Sequence, residues 1–408
     1  MPTPATPAET EANILVAGTG PAGLIGALAF ADANFRVTLV GPEPNVQDGR
    51  TTALMNPALA LLDRLGVLRT LAHKSAPLKV MRILDGTARL IRSPVVTFHA
   101  SEIDEHRFGL NIPNAVLVAT LAEAVSANPS IEWRKTLVSQ WQLEPERATA
   151  RLADGSAVSA RLVVAADGRA SPAREAAGIS VSSRPFPQAA LVLNFAHTVD
   201  HAFTSTEFHT ETGPFTQVPL PGRRSSLVCV VRPETAQELA ALDDDALSRH
   251  IERRMQSMLG RVTVEPGRQI YPLSTSTPWR FAHRRVALVG EAAHVFPPIG
   301  AQGLNLGIRD IVDLLETASQ NRPDPGTPKA LLSYDLRRRP DIVARTSAVN
   351  LLNLSLLSSM LPAQIARSTT LGLLGRFAPL RAFFMREGLQ PGSGFSALAG
   401  SLREQVQR

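Results

Sequence analysis

One cysteine, Cys229, among 408 residues leaves no internal disulfide framework and is compatible with a reducing compartment. Aromatic residues make up only 5%, with two tyrosines and three tryptophans. Basic residues are dispersed or fall in short runs such as Arg337-Arg338-Arg339, with no zinc-finger spacing and no interleaved aromatics, so nucleic acid is not an expected partner. No uninterrupted apolar run approaches the ~18 to 20 residues of a spanning helix. The chain is therefore expected to be cytoplasmic, either soluble or peripheral on the inner face of a membrane. The opening MPTPATPAET lacks a basic start and an apolar core, so residues 1–9 read as a flexible tail and not as a signal peptide.

What is present is a globular composition, 44% hydrophobic and 19% charged, in a chain long enough for two or three cores. The net charge of +6 favours an anionic partner, such as a phosphate-bearing cofactor or a lipid surface.

The first strong signal is local. Asn13-Ile14-Leu15-Val16-Ala17 reads as a strand and Gly18-Thr19-Gly20-Pro21-Ala22-Gly23 as a glycine turn. An Ala/Leu-rich helix follows to about Asn34, and Arg36-Val37-Thr38-Leu39-Val40 is a second strand. This is a β-α-β unit with a G-x-G-x-x-G turn. Gly18 permits the tight turn, Gly20 lets a diphosphate approach the backbone, and Gly23 lets the helix pack close to the strand. The helix N-terminus then stabilises the anion. An acid about 20 positions on, which would take the adenosine ribose, is absent: the second strand ends in Val40-Gly41-Pro42, and Glu43 could reach back from two residues later.

Helical periodicity predicts helices at 58–65, ending at Gly66, at 114–127 and at about 235–259. Residues 131–166 read as a meander with an Asp154-Gly155 turn, closing in the buried run Leu162-Val163-Val164-Ala165-Ala166, and 188–232 as a β-rich tract. From Ser333 the chain is helical, with apolar patches LLNLSLLSSMLP and LGLLGRFAPLRAFF. Near 290 a strand stops, two prolines and two glycines follow, and a new helix starts. Such a helix start is suited to an electron-rich group.

Three motifs stand in a set order: Gly18 to Gly23; Asp167-Gly168 with Ser171 and Arg174; and Gly290-Glu291 running on to Asn305. Supporting stretches are DGRTTAL at 48–54, FGLNIPNAVL at 108–117, GPFTQVPL at 213–220 and SYDLRRRPD at 333–341. Together they resemble the single-component FAD-dependent aromatic hydroxylases of the para-hydroxybenzoate hydroxylase fold, above all the ubiquinone-biosynthesis branch that hydroxylates polyprenylated phenols.

The resemblance implies an α/β fold: a discontinuous Rossmann-type FAD-binding domain (10–75, 110–180 and 270–345), an inserted β-sheet substrate domain (76–109 and 181–269) and a C-terminal helical region (346–408). It implies an NAD(P)H-dependent monooxygenase in which reduced FAD activates O2 and the distal oxygen attacks a phenol-activated ring carbon. NAD(P)H binds transiently, in keeping with the lack of a second glycine fingerprint. The cofactor residues it implies are Gly18, Gly20, Pro21, Ala22, Gly23, Glu43, Arg50, Asp167, Gly168, Gly290 and Glu291. Pro298, Gly300, Gln302, Gly303, Leu304 and Asn305 are expected to wrap the isoalloxazine, and no catalytic side chain is singled out. Two residues depart from the family: Glu291 stands where it has Asp, and Ala301 where it has Gly. With Gly41, these leave a second reading open, a non-catalytic FAD-fold scaffold or lipid binder of a quinone-biosynthetic assembly. A hydroxylase of a soluble aromatic acid is a further alternative.

The remaining chemistry-bearing residues have plainer readings. His294 is expected to be structural, hydrogen-bonded within its loop. His197 and His201 are four apart but in strand-like sequence, so no metal site is expected. Cys229 alternates with apolar neighbours and reads as core. Tyr271 and Tyr334 fall in segments assigned to the cofactor domain or beyond it, which argues against a tyrosine relay to the substrate. The C-terminal patches, flanked by Arg367, Arg376, Arg381 and Arg386, are inter-helix core or a membrane contact.

Overall fold

The computed structural model describes residues 9–46, 48–87, 93–297, 303–357, 369, 372 and 377–389. Its first sheet is built around parallel strands in the order Val286–Leu288, Ala157–Ala165, Glu9–Ala17, Val37–Val40 and Ile131–Arg134. Ala282–His283 closes one edge antiparallel, and Ala148–Leu152 with Val138–Leu143 forms an antiparallel flap on Ala157–Ala165. Unbroken apolar runs make these strands: Ile14, Leu15, Val16, Leu162, Val163 and Val164 are fully buried, as strands covered on both faces must be. Each such side chain contributes roughly 1.5–3 kcal/mol of burial.

The helix Pro21–Asp32 is buried from Gly23 to Ala31 and packs against Asn114–Ala127 and Gly303–Gln320. Its small residues permit that crowding: a Cβ on Gly26 would already touch Ile311. The expected helices at 58–65 and 114–127 are observed as Asn56–Arg64 and Asn114–Ala127. Gly66 takes the left-handed φ of +75° just past the first of them.

The second sheet runs Val262–Val264, Val181–His197, Arg224–Val231, Gly213–Leu220, Thr204–Thr210, Val80–Asp85 and Val96–His99, with Gln269–Pro278 also on Val181–His197. One face is covered by Pro233–Ala241 and Asp244–Arg254. Those two helices replace the single helix expected at 235–259. The chain breaks at Leu242, because the Asp243 carboxylate accepts the Ala246 N–H at 2.6 Å and starts a new helix. Gln269–Pro278, counted with the cofactor domain in the sequence reading from 270 on, is bound by its ladder to the second sheet.

A small third sheet, Thr51–Met55, Gly109–Pro113 and Ala76–Leu78, lies between the two. Pro328–Leu357 is a continuous helix, and Ala378–Leu389 packs Met385 onto Ile103 and Phe108.

Candidate functional site

All three separated motifs meet at the carboxyl ends of the parallel strands. Gly18 has φ +106°, and a Cβ there would sit 2.3 Å from the Ala166 carbonyl oxygen. A Cβ on Gly23 would sit 1.9 Å from the Gly18 oxygen, so strand end and helix start touch through glycines alone. At Gly20, by contrast, a Cβ would meet nothing within 4 Å. The helix begun by Pro21 has no side-chain cap on its N-terminus. A cleft of about 480 Å³ opens in front of it, lined by Gly20, Glu43, Asp48, Arg50, Asn114 and Tyr271 among others. Open space beside an uncapped helix start fits a diphosphate-bearing group.

Gly41 explains the missing acid. Its would-be Cβ falls 2.8 Å from Thr19 Cγ2, and the Thr19 hydroxyl donates to the Pro42 carbonyl at 2.6 Å. The threonine between the first two glycines thus occupies the room an acid would need. Glu43 is at the cleft wall, and Lys135, 2.6 Å away, holds its carboxyl below the ordinary range by hydrogen bond and charge.

Arg50 is fixed in two directions. Its Nε and Nη2 grip Asp48 at 2.8 and 2.6 Å, and its guanidinium lies 5.1 Å from the centroid of the Tyr271 ring. Asp48 also accepts Asn114 Nδ2 at 2.9 Å. Burial pushes the Asp48 carboxyl up, but the hydrogen bonds from Arg50 and Asn114 outweigh it and the net direction is down. Tyr271, counted with the cofactor domain in the sequence reading, pairs with Ala190 in the second sheet and lines the cleft. Asp48 and Asn114 fall within the stretches DGRTTAL and FGLNIPNAVL, but no role was read for either or for Tyr271 at the cleft, because only the folded chain brings positions 48, 114 and 271 together.

Asp167 follows the strand end directly. Its Oδ2 accepts the Ala173 N–H at 3.0 Å, while its Oδ1 is buried with no partner among the described residues. Burial raises its carboxyl above the ordinary range. Gly168 turns with φ +84°. Arg174 then donates to the carbonyls of Ala292 at 2.8 Å and Arg169 at 2.7 Å, and Arg169 meets Glu291 at 3.2 Å. The second and third motifs are thereby tied together. Glu291 is half-exposed, its carboxylate turned to that arginine.

Gly290, at φ +61°, would place a Cβ 3.0 Å from Ala22, so the third motif abuts the first. Its N–H donates at 3.0 Å to Oδ2 of Asp310, which also accepts His294 Nε2 at 2.7 Å; Oδ1 accepts Arg338 Nε at 2.8 Å. Burial alone would push the Asp310 carboxyl up, yet His294 and Arg338 beside it hold it below the ordinary range. His294 is structural, but its partner lies on the next helix and not in its own loop. Asp310 and Arg338 were missed by the sequence reading. The available signal was a charged residue on the buried face of an amphipathic helix.

Gly303 opens the helix Gly303–Gln320, and Leu304 is partly buried against the core. Asn305 fastens this start to the third sheet: Nδ2 donates to Ala53 O at 2.8 Å and Oδ1 accepts Met55 N–H at 2.9 Å. Pro298, Gly300 and Gln302 lie outside the described residues.

His197 Nδ1 is 2.8 Å from Val199 O and its Nε2 is 3.0 Å from Ser225 Oγ; His201 Nε2 is 3.0 Å from Leu220 O. These nitrogens bind backbone and hydroxyl. Cys229 is buried, and burial pushes its thiol up to about 11. Tyr334 is fully buried and donates to Leu288 O at 2.7 Å. Arg381 and Arg386, read as flanking either an inter-helix core or a membrane contact, pair with Glu102 and Asp104, because the helix Ala378–Leu389 lies against Ala100–Ile103. Arg367 and Arg376 lie outside the described residues.

Residues 11–347 match the FAD binding domain family. The chain is 32% identical over 396 residues to a ubiquinone hydroxylase, UbiL, of Rhodospirillum rubrum, covering 94% of this chain and 90% of that protein. It is 27% identical to the 3-demethoxyubiquinol 3-hydroxylase of Escherichia coli, covering 89% of this chain and 94% of that one. Among solved structures, p-nitrophenol 4-monooxygenase PnpA of Pseudomonas putida superimposes with a TM-score of 0.75 at 22% identity, covering 94% of this chain and 97% of that one, a likeness of fold.

Proposed function

The chain belongs to the FAD-dependent aromatic hydroxylases, in the branch that includes ubiquinone hydroxylases, and from that membership we propose that it hydroxylates the ring of a polyprenylated phenol in ubiquinone biosynthesis. It is an FAD-dependent monooxygenase with NAD(P)H as transient reductant and O2 as co-substrate.

In this reading the diphosphate of FAD lies over Gly20 and the helix start at Pro21 and Ala22, with Glu43 toward the adenosine. Arg50, Asp167, Gly168, Gly290 and Glu291 line its length, and Gly303, Leu304 and Asn305 face the ring. When bound, FAD supplies the redox chemistry on oxygen; the chain orients and desolvates. Asn305 holds the helix start against Ala53 and Met55, so that its backbone dipole points at a fixed place. Asp310 holds the Gly290 turn by its N–H. The observation that carries the cofactor assignment is the empty reach in front of Gly20, flanked by two glycines that backbone contact makes obligatory.

We assign the parallel sheet and its helices to the cofactor unit and the second sheet to the substrate unit, with the later boundary after Pro278. Ala190, Val230 and Leu273, joined by Phe186, Val192 and Val228, give that second sheet an apolar patch away from its covering helices, suited to a lipid tail. Peripheral membrane contact through the exposed Phe377, Leu380 and Phe384 is part of the same proposal, as is attachment to a quinone-biosynthetic assembly. No helix among the described residues is long and apolar enough to cross a membrane.

The test is NAD(P)H oxidation by the FAD-loaded protein with ortho-geranylphenol, with products analysed by mass. Incorporation of one oxygen atom from labelled O2 supports the reading. Flavin that stays oxidised with every prenylated phenol, while a soluble hydroxybenzoate drives turnover, would replace it with a hydroxylase of an aromatic acid.

A further inference from the structure

On a strand, neighbouring side chains take opposite faces. Phe208 and Phe215 enter the core under the helices Pro233–Ala241 and Asp244–Arg254, so Glu207 and Thr216 stand on the other face. Registers then align one row across five strands: Glu207, Thr216, Val228, Val192 and Gln269. Gln269 lines the cofactor cleft. The adjoining row ends in Asn194, which donates to Gly49 O at 2.9 Å, and includes Ser226, 2.9 Å from the Thr51 hydroxyl. On the other side His209 pairs with Pro214, and Val230 and Ala190 share a row that ends in Tyr271, which stacks with Arg50. Glu207 thus stands on the face that looks onto the cofactor unit, four strand spacings, about 19 Å, from Gln269.

Beyond Thr216, Val228 and Val192 come next along the row. One carboxylate oxygen accepts His209 Nε2 at 3.0 Å and the other accepts Thr216 Oγ1 at 3.3 Å. The Glu207 side chain keeps 19% exposure while His209 keeps 4%, so the carboxylate is the end of the pair that a ligand can reach. Of the nearby charged groups, His209 is on the same strand, and Asp85, opposite His209, already accepts from Thr87 and Ser93. Neither tyrosine competes for the role. Tyr334 is fully buried on Leu288, and Tyr271 is at the far cleft edge.

We propose that Glu207, oriented by His209 and Thr216, accepts the phenolic proton of the substrate. The substrate O–H bond breaks and an O–H bond forms on the carboxylate. The electron pair left on oxygen spreads to the ring carbons ortho and para to it, one of which forms a C–O bond with the electrophilic oxygen that the flavin and O2 would supply; that carbon's C–H bond then breaks, its electrons restore the aromatic ring and its proton leaves to solvent. The proton held on the Glu207 carboxyl returns to the product's original phenolic oxygen. Pre-placed acid–base groups of this kind contribute about 10²- to 10⁴-fold. The proposal rests on the reading of the protein as a phenol hydroxylase and adds the group that activates the ring.

The test uses the FAD-loaded full chain and ortho-geranylphenol. Glu207→Gln is expected to keep its flavin content and thermal midpoint and to oxidise NAD(P)H, while product per turnover falls about 10²-fold or more. Glu207→Asp restores part of the product yield. A Glu207→Gln enzyme that forms product at the wild-type rate overturns the proposal. Wild-type protein that converts no phenol at all overturns the functional reading and the role of Glu207 with it.

Discussion

Replacing Asp310 by Asn tests the electrostatic frame of the Gly290 turn. Asp310 is fully buried and accepts from Gly290 N–H, His294 Nε2 and Arg338 Nε. Removing one partner of a buried charge cluster costs about 3–5 kcal/mol, because the remaining charge is left uncompensated. Here Arg338 keeps Asp313 at 2.9 Å and Asp341 at 3.1 Å, which places the loss near the lower end, ~3 kcal/mol. With a urea slope of ~3 kcal/mol/M, the midpoint falls by about 1 M. The folded carboxyl is held below its ordinary value, so its contribution is present above about pH 4 and is lost as pH falls through the depressed folded value. Wild type and variant should therefore converge in stability at strongly acidic pH. Urea unfolding followed by tryptophan fluorescence, repeated from pH 7 downward, measures both effects. A loss under about 1 kcal/mol at pH 7, or a gap that does not close on acidification, refutes the reasoning.

Two further outcomes follow from local geometry. Gly23→Ala drives a methyl into the Gly18 carbonyl, so stability falls by about 1–3 kcal/mol and the purified protein loses its yellow colour. Cys229, with its thiol pushed up to about 11 and its side chain buried, should react with a thiol reagent at pH 8 only after denaturation; rapid labelling of the native protein contradicts its placement in the core.

How legible the molecule was in its sequence depended on the range of the contacts. The first strand, glycine turn and helix are specified within about 30 residues by chain chemistry, and they form as read. Asn114–Ala127 likewise follows from its own periodicity. The break at Leu242 was missed because one Asp cap outweighed a continuous helical pattern. The pairing of the strand Gln269–Pro278 with the second sheet was not read, since its ladder partner lies some 80 residues earlier. Gly41 read as a defect in the ribose site, yet Thr19 fills the space that an acid would occupy. Asp310, His294 and Arg338 come from three segments, and nothing in any one of them announces a shared hydrogen-bond network. Glu207 was invisible for the same reason: its place on the open face follows from register across five strands.

The measurement that most directly tests the central claim, a flavin diphosphate lying against Gly20, is an FAD titration of wild type and Gly20→Val followed by fluorescence quenching. The backbone there is extended, with φ −68°, and a Cβ meets no protein atom, so the valine leaves folding intact. The account predicts an unchanged thermal midpoint for the apoproteins, strong quenching by wild type, and affinity at least ~10-fold weaker in the variant, a difference of about 1.4 kcal/mol. Equal affinity in the two proteins, or no quenching by wild type, would contradict it.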